Sequence, residues 1–268
     1  MINLGFMQGR LSKTVNNKIQ FFPHTNWENE FKTAKNIGLK YMEWTIDNHK
    51  FYKNPLMIPN KSKIVLKLKK KYRIKIHTVT ADFFMEDAFF KKKNHKNFFK
   101  KFKLFLHNCK TFGIKIIIIP LVDKSSIKNK YQENLVINFF RNISYLLKKN
   151  KIQIAFESDY SPLKLKKFIN NFDKILFGIN YDIGNSAGLG YNYNEELNAY
   201  GNRIINVHIK DKSKDNHTVP LFSGKAMIFD VIRRLRRFYK GIYIIQSARS
   251  KYDHINMINN YYKIFKNV

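Results

Sequence analysis

Apolar residues along this chain gather into short unbroken runs, and longer amphipathic stretches separate one run from the next. The runs cover residues 2–6, 41–46, 74–79, 114–120, 152–157, 177–181, 204–207 and 242–246. Runs this short and this uniformly apolar predict parallel strands buried on both faces, because a half-exposed strand would alternate with polar residues. Between them the apolar spacing widens to a helical period. Helices are predicted from a cap at Asn26 to Gly38, over 61–72, up to Gly113 and over 131–149. Others begin at Ser161-Pro162, follow Asp182 as a short segment, cover 227–239, and close the chain. Ser161-Pro162 is a strong start, since proline at the first helical position gives up no needed hydrogen bond.

Eight strand–helix units in 268 residues, with no Gly/Ser-rich linker or shift in composition between them, predict one (β/α)8 TIM barrel spanning 1–268. A doubly wound open sheet is the rival, but no Gly-x-Gly-x-x-Gly follows the first strand.

Composition changes this picture little, and charge changes it more. Lys and Arg number 50 against 19 Asp and Glu, a formal +31. Such an excess can mark a nucleic-acid or membrane-surface binder. Here Lys, Asn, Ile, Phe and Tyr crowd the chain together, all with A/T-rich codons, and the lysines spread over nearly every helix. Coding bias is the preferred account, so neither nucleic acid nor a membrane is expected as a partner. The single cysteine, Cys109, excludes an intrachain disulfide and a cysteine-based zinc site. The longest apolar run, 114–122, is broken by Lys115 and Pro120 and is too short to span a bilayer. With a strand-like run at the N-terminus in place of a signal sequence, a cytoplasmic protein is expected.

The chemistry of such barrels is built at the carboxyl ends of the strands. Those ends carry Gln8 and Arg10, Glu43, His77, Asp123, Glu157, Asp182, His208 and Gln246. Glu157, Asp182 and His208 together suit a divalent ion, because hard oxygens and one imidazole match manganese, magnesium, cobalt or zinc. Each polar residue alone could instead cap a helix or bond a loop amide. Gln8, Arg10, Glu43 and His77 are the candidates for holding substrate. Lys210 lies two residues past His208, so strand alternation points both to one face, where an ammonium could neutralise developing negative charge. Two loops offer backbone amides and a cation where such barrels hold phosphate: Ser223-Gly224-Lys225 and Ser247-Ala248-Arg249. If Lys225 and Arg249 act there, the substrate carries a phosphate or another anionic group. The stretch 83–90 is too apolar for water, and core packing is the preferred reading. A lid over the mouth or a contact in a homo-oligomer are the alternatives.

Several short pieces together resemble a known family. They are Asn3-Leu4-Gly5-Phe6-Met7-Gln8-Gly9-Arg10, Glu43-Trp44, Ile76-His77 and Phe156-Glu157-Ser158-Asp159. Tyr181-Asp182-Ile183-Gly184-Asn185, Val207-His208-Ile209-Lys210-Asp211 and Gln246-Ser247-Ala248-Arg249 complete them. The chain resembles the xylose isomerase-like TIM barrels, the sugar-phosphate isomerase/epimerase group. The resemblance implies a carbohydrate isomerase or epimerase binding one divalent metal through Glu157, Asp182, His208 and the strand-eight position. It implies Glu157 as a base that moves a proton between neighbouring carbons through an enediolate. Strand eight departs from the pattern, since position 246 is Gln where the family has Glu. An amide oxygen can ligate but cannot take a proton at neutral pH. Weaker metal binding and the loss of a second base are therefore expected, which leaves a one-base isomerisation or a non-catalytic sugar-binding barrel. Asn185 stands where some members have a substrate-contacting His, and can still bond a hydroxyl. An apurinic-site endonuclease is a more distant reading. Its three-zinc cluster needs further histidines, and 120–123 and Asn185 do not supply them, although Asp215-Asn216-His217 has the right spacing.

Overall fold

The computed structural model describes residues 2–14, 20–92, 96–250 and 253–268; the loop predicted between the first strand and Asn26 includes residues 15–19, which lie outside them. In chain order the strands are β1 (Asn3–Met7), β2 (Tyr41–Thr45), β3 (Lys75–Thr80), β4 (Ile116–Leu121), β5 (Gln153–Ser158), β6 (Phe177–Asp182) and β7 (Ile204–Ile209). Two-residue strands β8 (Asp211–Lys212) and β9 (Thr218–Val219) follow, then β10 (Ile242–Ile245). Eight of them close into a parallel barrel in the order β1-β10-β7-β6-β5-β4-β3-β2, while β8 and β9 form a small antiparallel hairpin. The predicted (β/α)8 barrel is what the chain forms.

The helices are α1 (Trp27–Ile37), α2 (Pro59–Tyr72), α3 (Asp82–Glu86), α4 (Lys96–Phe112), α5 (Lys130–Asn142) and α6 (Ser144–Asn150). After them come α7 (Pro162–Ile169), α8 (Ile183–Gly188), α9 (Tyr193–Tyr200), α10 (Ile228–Leu235) and α11 (His254–Phe265). Two sequence expectations need correction. The helix predicted over 131–149 is two helices: Ser144 Oγ donates back to the Phe140 carbonyl at 3.1 Å, and the chain bends at Ile143. Asn26 stands at the α1 N-cap without capping it, because its amide donates to Ser12 Oγ and its oxygen accepts from the Asn29 side chain.

The core lies between strands and helices. Phe84, Phe89, Phe98, Phe102, Phe139 and Phe140 pack against one another there, some pairs edge to face and others stacked. Phe83, Phe84, Phe89 and Phe90 are all buried, so the apolar stretch 83–90 is core rather than lid. Cys109 is buried with them, and burial pushes its thiol well above the usual range. Among the described residues no helix is long and apolar enough to cross a membrane.

Where β6 meets β7 the backbones approach so closely that a Cβ on Gly178 would lie 2.7 Å from both the Arg203 carbonyl and Ile205 Cγ1. The β6–β7 register carries Asp182 beside His208 and also shifts within this pair, so Gly178 sets a pairing on which the site depends. Gly178→Ala is expected to cost about 1–3 kcal/mol through overpacking. The urea midpoint reads this directly, and an unchanged midpoint would show that the neighbours yield freely.

Candidate active site

Three neighbouring strands deliver Glu157, Asp182 and His208 to the carboxyl-end mouth. Register places Asp182 opposite His208, and strand alternation turns all three inward. One ligand atom from each lies within 4.8 Å of the others, and all three residues are buried. His208 Nδ1 is 3.5 Å from Glu157 Oε2 and 4.0 Å from Asp182 Oδ2. Among the described residues this is the one such group of His, Cys, Asp and Glu.

A second layer holds the imidazole from below. Glu43 Oε1 lies 2.7 Å from His208 Nε2 and accepts from Thr80 Oγ1 at 2.7 Å. Asn206 donates to Glu43 Oε2 at 3.0 Å and to Asn180 Oδ1 at 2.8 Å. With its oxygen so engaged, Asn180 directs its NH2 at Glu157 Oε2 (2.7 Å) and His208 Nδ1 (3.1 Å). That geometry belongs to the tautomer with its proton on Nε2, leaving the Nδ1 lone pair facing the carboxylates. A metal-binding histidine needs that orientation, and a carboxylate on the far nitrogen is the usual way to fix it.

Charge in the cluster is unbalanced. Burial favours a neutral His208, but the Glu43 charge and the contacts with Glu157 and Glu43 outweigh it and push the imidazole up to about 10. A proton-hungry imidazole conflicts with a neutral Nδ1 facing an amide NH2. The geometry decides for the neutral tautomer, and the carboxylates around it favour a cation at Nδ1. Burial raises Asp182, with Glu157 adding to the rise and Lys210 opposing it. Burial would raise Glu157 too, but His208, Lys210 and Asn180 hold it below its ordinary value.

At the rim Lys210 Nζ lies 3.6 Å from Asp182 Oδ2 and donates to Asn185 Oδ1 at 3.1 Å. Asn185 in turn donates to Glu157 Oε1 at 2.6 Å. Lys210 and Asn185 thus join the trio. Gln246 follows β10, its N–H donating to the Ile209 carbonyl; its buried Oε1 has no hydrogen-bond partner. Asp182 Oδ2 and Gln8 Nε2 are likewise buried without a hydrogen-bond partner, while Gln8 Oε1 accepts from Thr45 N. Buried acceptors on Asp182 and Gln246 that accept no hydrogen bond are what a cation site would present to its ion, so the donor set fits a divalent metal.

The other expected substrate residues are placed differently. Glu43 is fully buried and its carboxylate serves His208, Thr80 and Asn206, so it supports the site from beneath. His77 is not at the mouth. β3 continues to Thr80, whose inward hydroxyl reaches Glu43, so His77 faces outward against Tyr41 (6.0 Å between ring centres). Burial and the charges of Lys69, Lys75 and Lys115 keep it below its ordinary value. Arg10 is buried and donates to the Ser247 carbonyl at 2.9 Å, tying the turn after β1 to the turn after β10. Burial and Arg249 pull its guanidinium down to about 9. Arg249 donates to the carbonyls of Gly9 and Ser12 and lies 4.5 Å over the Phe21 ring; burial lowers it to about 10. Lys225 is exposed, and the amides around it are already used: Gly224 and Ala226 donate to the Asp211 carboxylate at 2.9 and 3.0 Å. The loop read as a phosphate cradle therefore holds a carboxylate of its own chain.

Sequence reasoning missed Asn180 and Asn206, although each stands two residues before a ligand, on the same strand face. It also missed Asp82, beyond the last residue of β3. Gln20 donates to Asp82 Oδ2 at 3.0 Å. Burial raises Asp82 to about 8; the Gln20 bond opposes this, and Asp47, Glu86 and Glu157 add to it.

A family model described as xylose isomerase-like TIM barrel matches residues 31–259. Solved structures match over nearly the whole chain. A 3-keto-D-glucoside 4-epimerase from E. coli superposes with a TM-score of 0.75, at 15% identity over 100% of both chains. The IOLI protein with a binding zinc atom gives 0.75, at 14% identity over 99% of each chain. A D-allulose 3-epimerase from Methylomonas sp., in complex with D-allulose, gives 0.73, at 12% identity over 99% of this chain and 96% of that one. At such identities the likeness shows the shared barrel. A comparison with curated proteins found no match.

Asp82 generates a pH prediction. Its folded value stands above the unfolded one, so between about pH 4 and pH 8 unfolding releases a proton and stability falls as pH rises. Asp82→Asn removes this dependence. The variant is expected to match the parent near pH 4 and to gain stability towards pH 8, by at most on the order of 5 kcal/mol. Urea unfolding at both pH values measures it; a gain independent of pH would contradict the assignment.

Proposed function

The chain belongs to the xylose isomerase-like TIM barrel family, and from that premise we propose that it is a carbohydrate isomerase or epimerase. One divalent ion would be held by Glu157, Asp182 and His208, with the Gln246 amide oxygen as fourth donor. The observation that carries this reading is the buried trio, whose imidazole is oriented by Glu43 and Asn180. When bound, the ion would polarise adjacent oxygens of a ketose or aldose.

The chain's own groups would do the rest. Glu157 stays ionised beside Lys210 and His208, so its carboxylate can take a proton from the carbon next to the sugar carbonyl. The hydrogen bonds from Asn180 and Asn185 fix which way that carboxylate faces. Lys210 places an ammonium at the rim, where negative charge would grow on the substrate oxygens as the enediolate forms. Asn185 and Gln8 offer amides for hydroxyl groups. Gln246 cannot serve as a base, so the reading is a transfer by Glu157 alone, which returns the proton to the neighbouring carbon on the same face. The second reading, a barrel that binds sugar without converting it, rests on that same Gln246.

Two experiments test this. Solvent deuterium is expected to enter a bound ketose or ketose phosphate in the parent protein and to fall at least a thousandfold with Glu157→Gln, roughly the scale of one general base. No exchange in the parent across a broad panel of sugars would favour the binding reading. Calorimetric titration with Mn²⁺ is expected to show binding that weakens as pH falls, because protons then compete with the ion for His208 Nδ1 and for Asp182, whose proton affinity burial raises. Gln246→Glu is expected to tighten it on the order of tenfold by adding a ligand charge. Equal or weaker affinity in that variant would mean that position 246 does not face the ion.

A further inference from the structure

The opposite end of the barrel carries a feature that the proposed reaction leaves unused. Between α7, α9 and α10 a cavity of about 740 Å³ opens, lined by Lys166, Lys174, Arg203, Arg234 and Arg237 and by no carboxylate. A second cavity of about 370 Å³ shares Arg237 and adds Arg233, Arg236 and Lys240, again without a carboxylate. Arg203 donates to the carbonyl of Phe177, the first residue of β6. Asp182 closes the same strand, so this basal face lies roughly 16 Å from the mouth along β6.

Coding bias does not explain this patch. Elsewhere the chain uses lysine for positive charge, but four of its nine arginines fall within 233–237. The guanidiniums are also posed. Arg203 is held by the Phe172 and Phe177 carbonyls, and Arg234 by the side-chain oxygens of Asn194 and Asn198. Two donors in these walls are buried without a hydrogen-bond partner: Arg203 Nε in the larger cavity and Tyr243 Oη, on a residue 1% exposed, in the smaller. A buried donor left unpaired costs free energy that an acceptor-rich ligand would recover. The nearby acids are already engaged. Asp173, whose charge reaches Arg203, accepts from the amides of Ile175 and Leu176. Asp230 pairs with Arg233 at 3.4 Å.

We propose that the two adjoining cavities form a site for a small polyphosphate anion, gripped by Arg203, Arg234 and Arg237 at the base of the barrel. Forked guanidiniums match phosphate oxygens in a way that scattered lysines do not. The larger cavity has the volume of a small-ligand pocket, which favours a compact anion over a polymer lying across the surface.

Calorimetry on the full chain with inorganic tripolyphosphate tests the site, at 0.15 M salt and without divalent ions that the probe would chelate. Saturable binding is expected, at least tenfold weaker in Arg234→Gln/Arg237→Gln and unchanged in the control Lys61→Gln/Lys63→Gln on α2. Arg237→Gln alone is the fallback should the double variant fold poorly, with a several-fold loss expected. Equal losses in the control, or no loss in the arginine variants, would reduce the patch to general surface charge and overturn the proposal. So would a single-stranded RNA oligonucleotide or anionic lipid vesicles binding more tightly than tripolyphosphate with the same arginine dependence.

Discussion

Three buried carboxylates converge on one buried imidazole, and much of the structure answers that charge. Glu43, Glu157 and Asp182 surround His208 at distances where, in a poorly polarisable interior, uncompensated repulsion would be severe. The protein meets this first with hydrogen bonds. Asn180, Asn206 and Thr80 aim donors at Glu157 and Glu43, the two asparagines from the positions just beneath Asp182 and His208. It then adds Lys210 at the rim. With His208 neutral, that ammonium and one dication would together cancel the three carboxylates.

The barrel makes this arrangement cheap to specify. Parallel pairing between β5, β6 and β7 aligns residues of neighbouring strands, so three side chains at three strand ends meet without any loop having to be ordered first. One step back along the strands, Asn180 and Asn206 are registered partners, which is why the supporting layer is as well aligned as the ligands above it. The outer face of the same strands contributes mainly apolar packing, with the aromatic cluster around Phe140 at its centre. Function and stability therefore divide by the alternation of a single strand.

That alternation also explains how much could be read from the sequence. Buried parallel strands are apolar on both faces, so eight runs announced a barrel, and a polar residue ending each run announced the mouth. The trio was legible for that reason. Errors arose where a strand ended one residue away from where the apolar run did. β3 runs on to Thr80, and this turned His77 outward and left Asp82 unnoticed. Glu43 was seen as a mouth residue, but its depth in the barrel could not be read from its neighbours. Loops were the least legible part. Ser223-Gly224-Lys225 has the composition of an anion cradle, and only the fold brings Asp211 to those amides from 13 to 15 residues away. Glu30 does the same for the amides of Gly9 and Leu11. Sequence shows the donors; it does not show that a distant carboxylate has taken them.

The two ends of the molecule now differ in sign, and helix dipoles account for part of this. In a (β/α)8 barrel the helices start beside the mouth and run back to the base, so their positive ends face the carboxylates and their negative ends face the basal cations. Lys166 near the end of α7, and Arg233 and Arg234 near the end of α10, fit that account without any ligand. Arg203 and Tyr243 do not. Both carry buried donors that no helix carbonyl has taken, although carbonyl oxygens are plentiful at that end of the barrel. A cation recruited only to quiet a helix terminus would spend its donors on the terminus. Donors kept dry and unpaired beside two carboxylate-free cavities mark the base of this barrel as more than the electrostatic counterpart of its mouth.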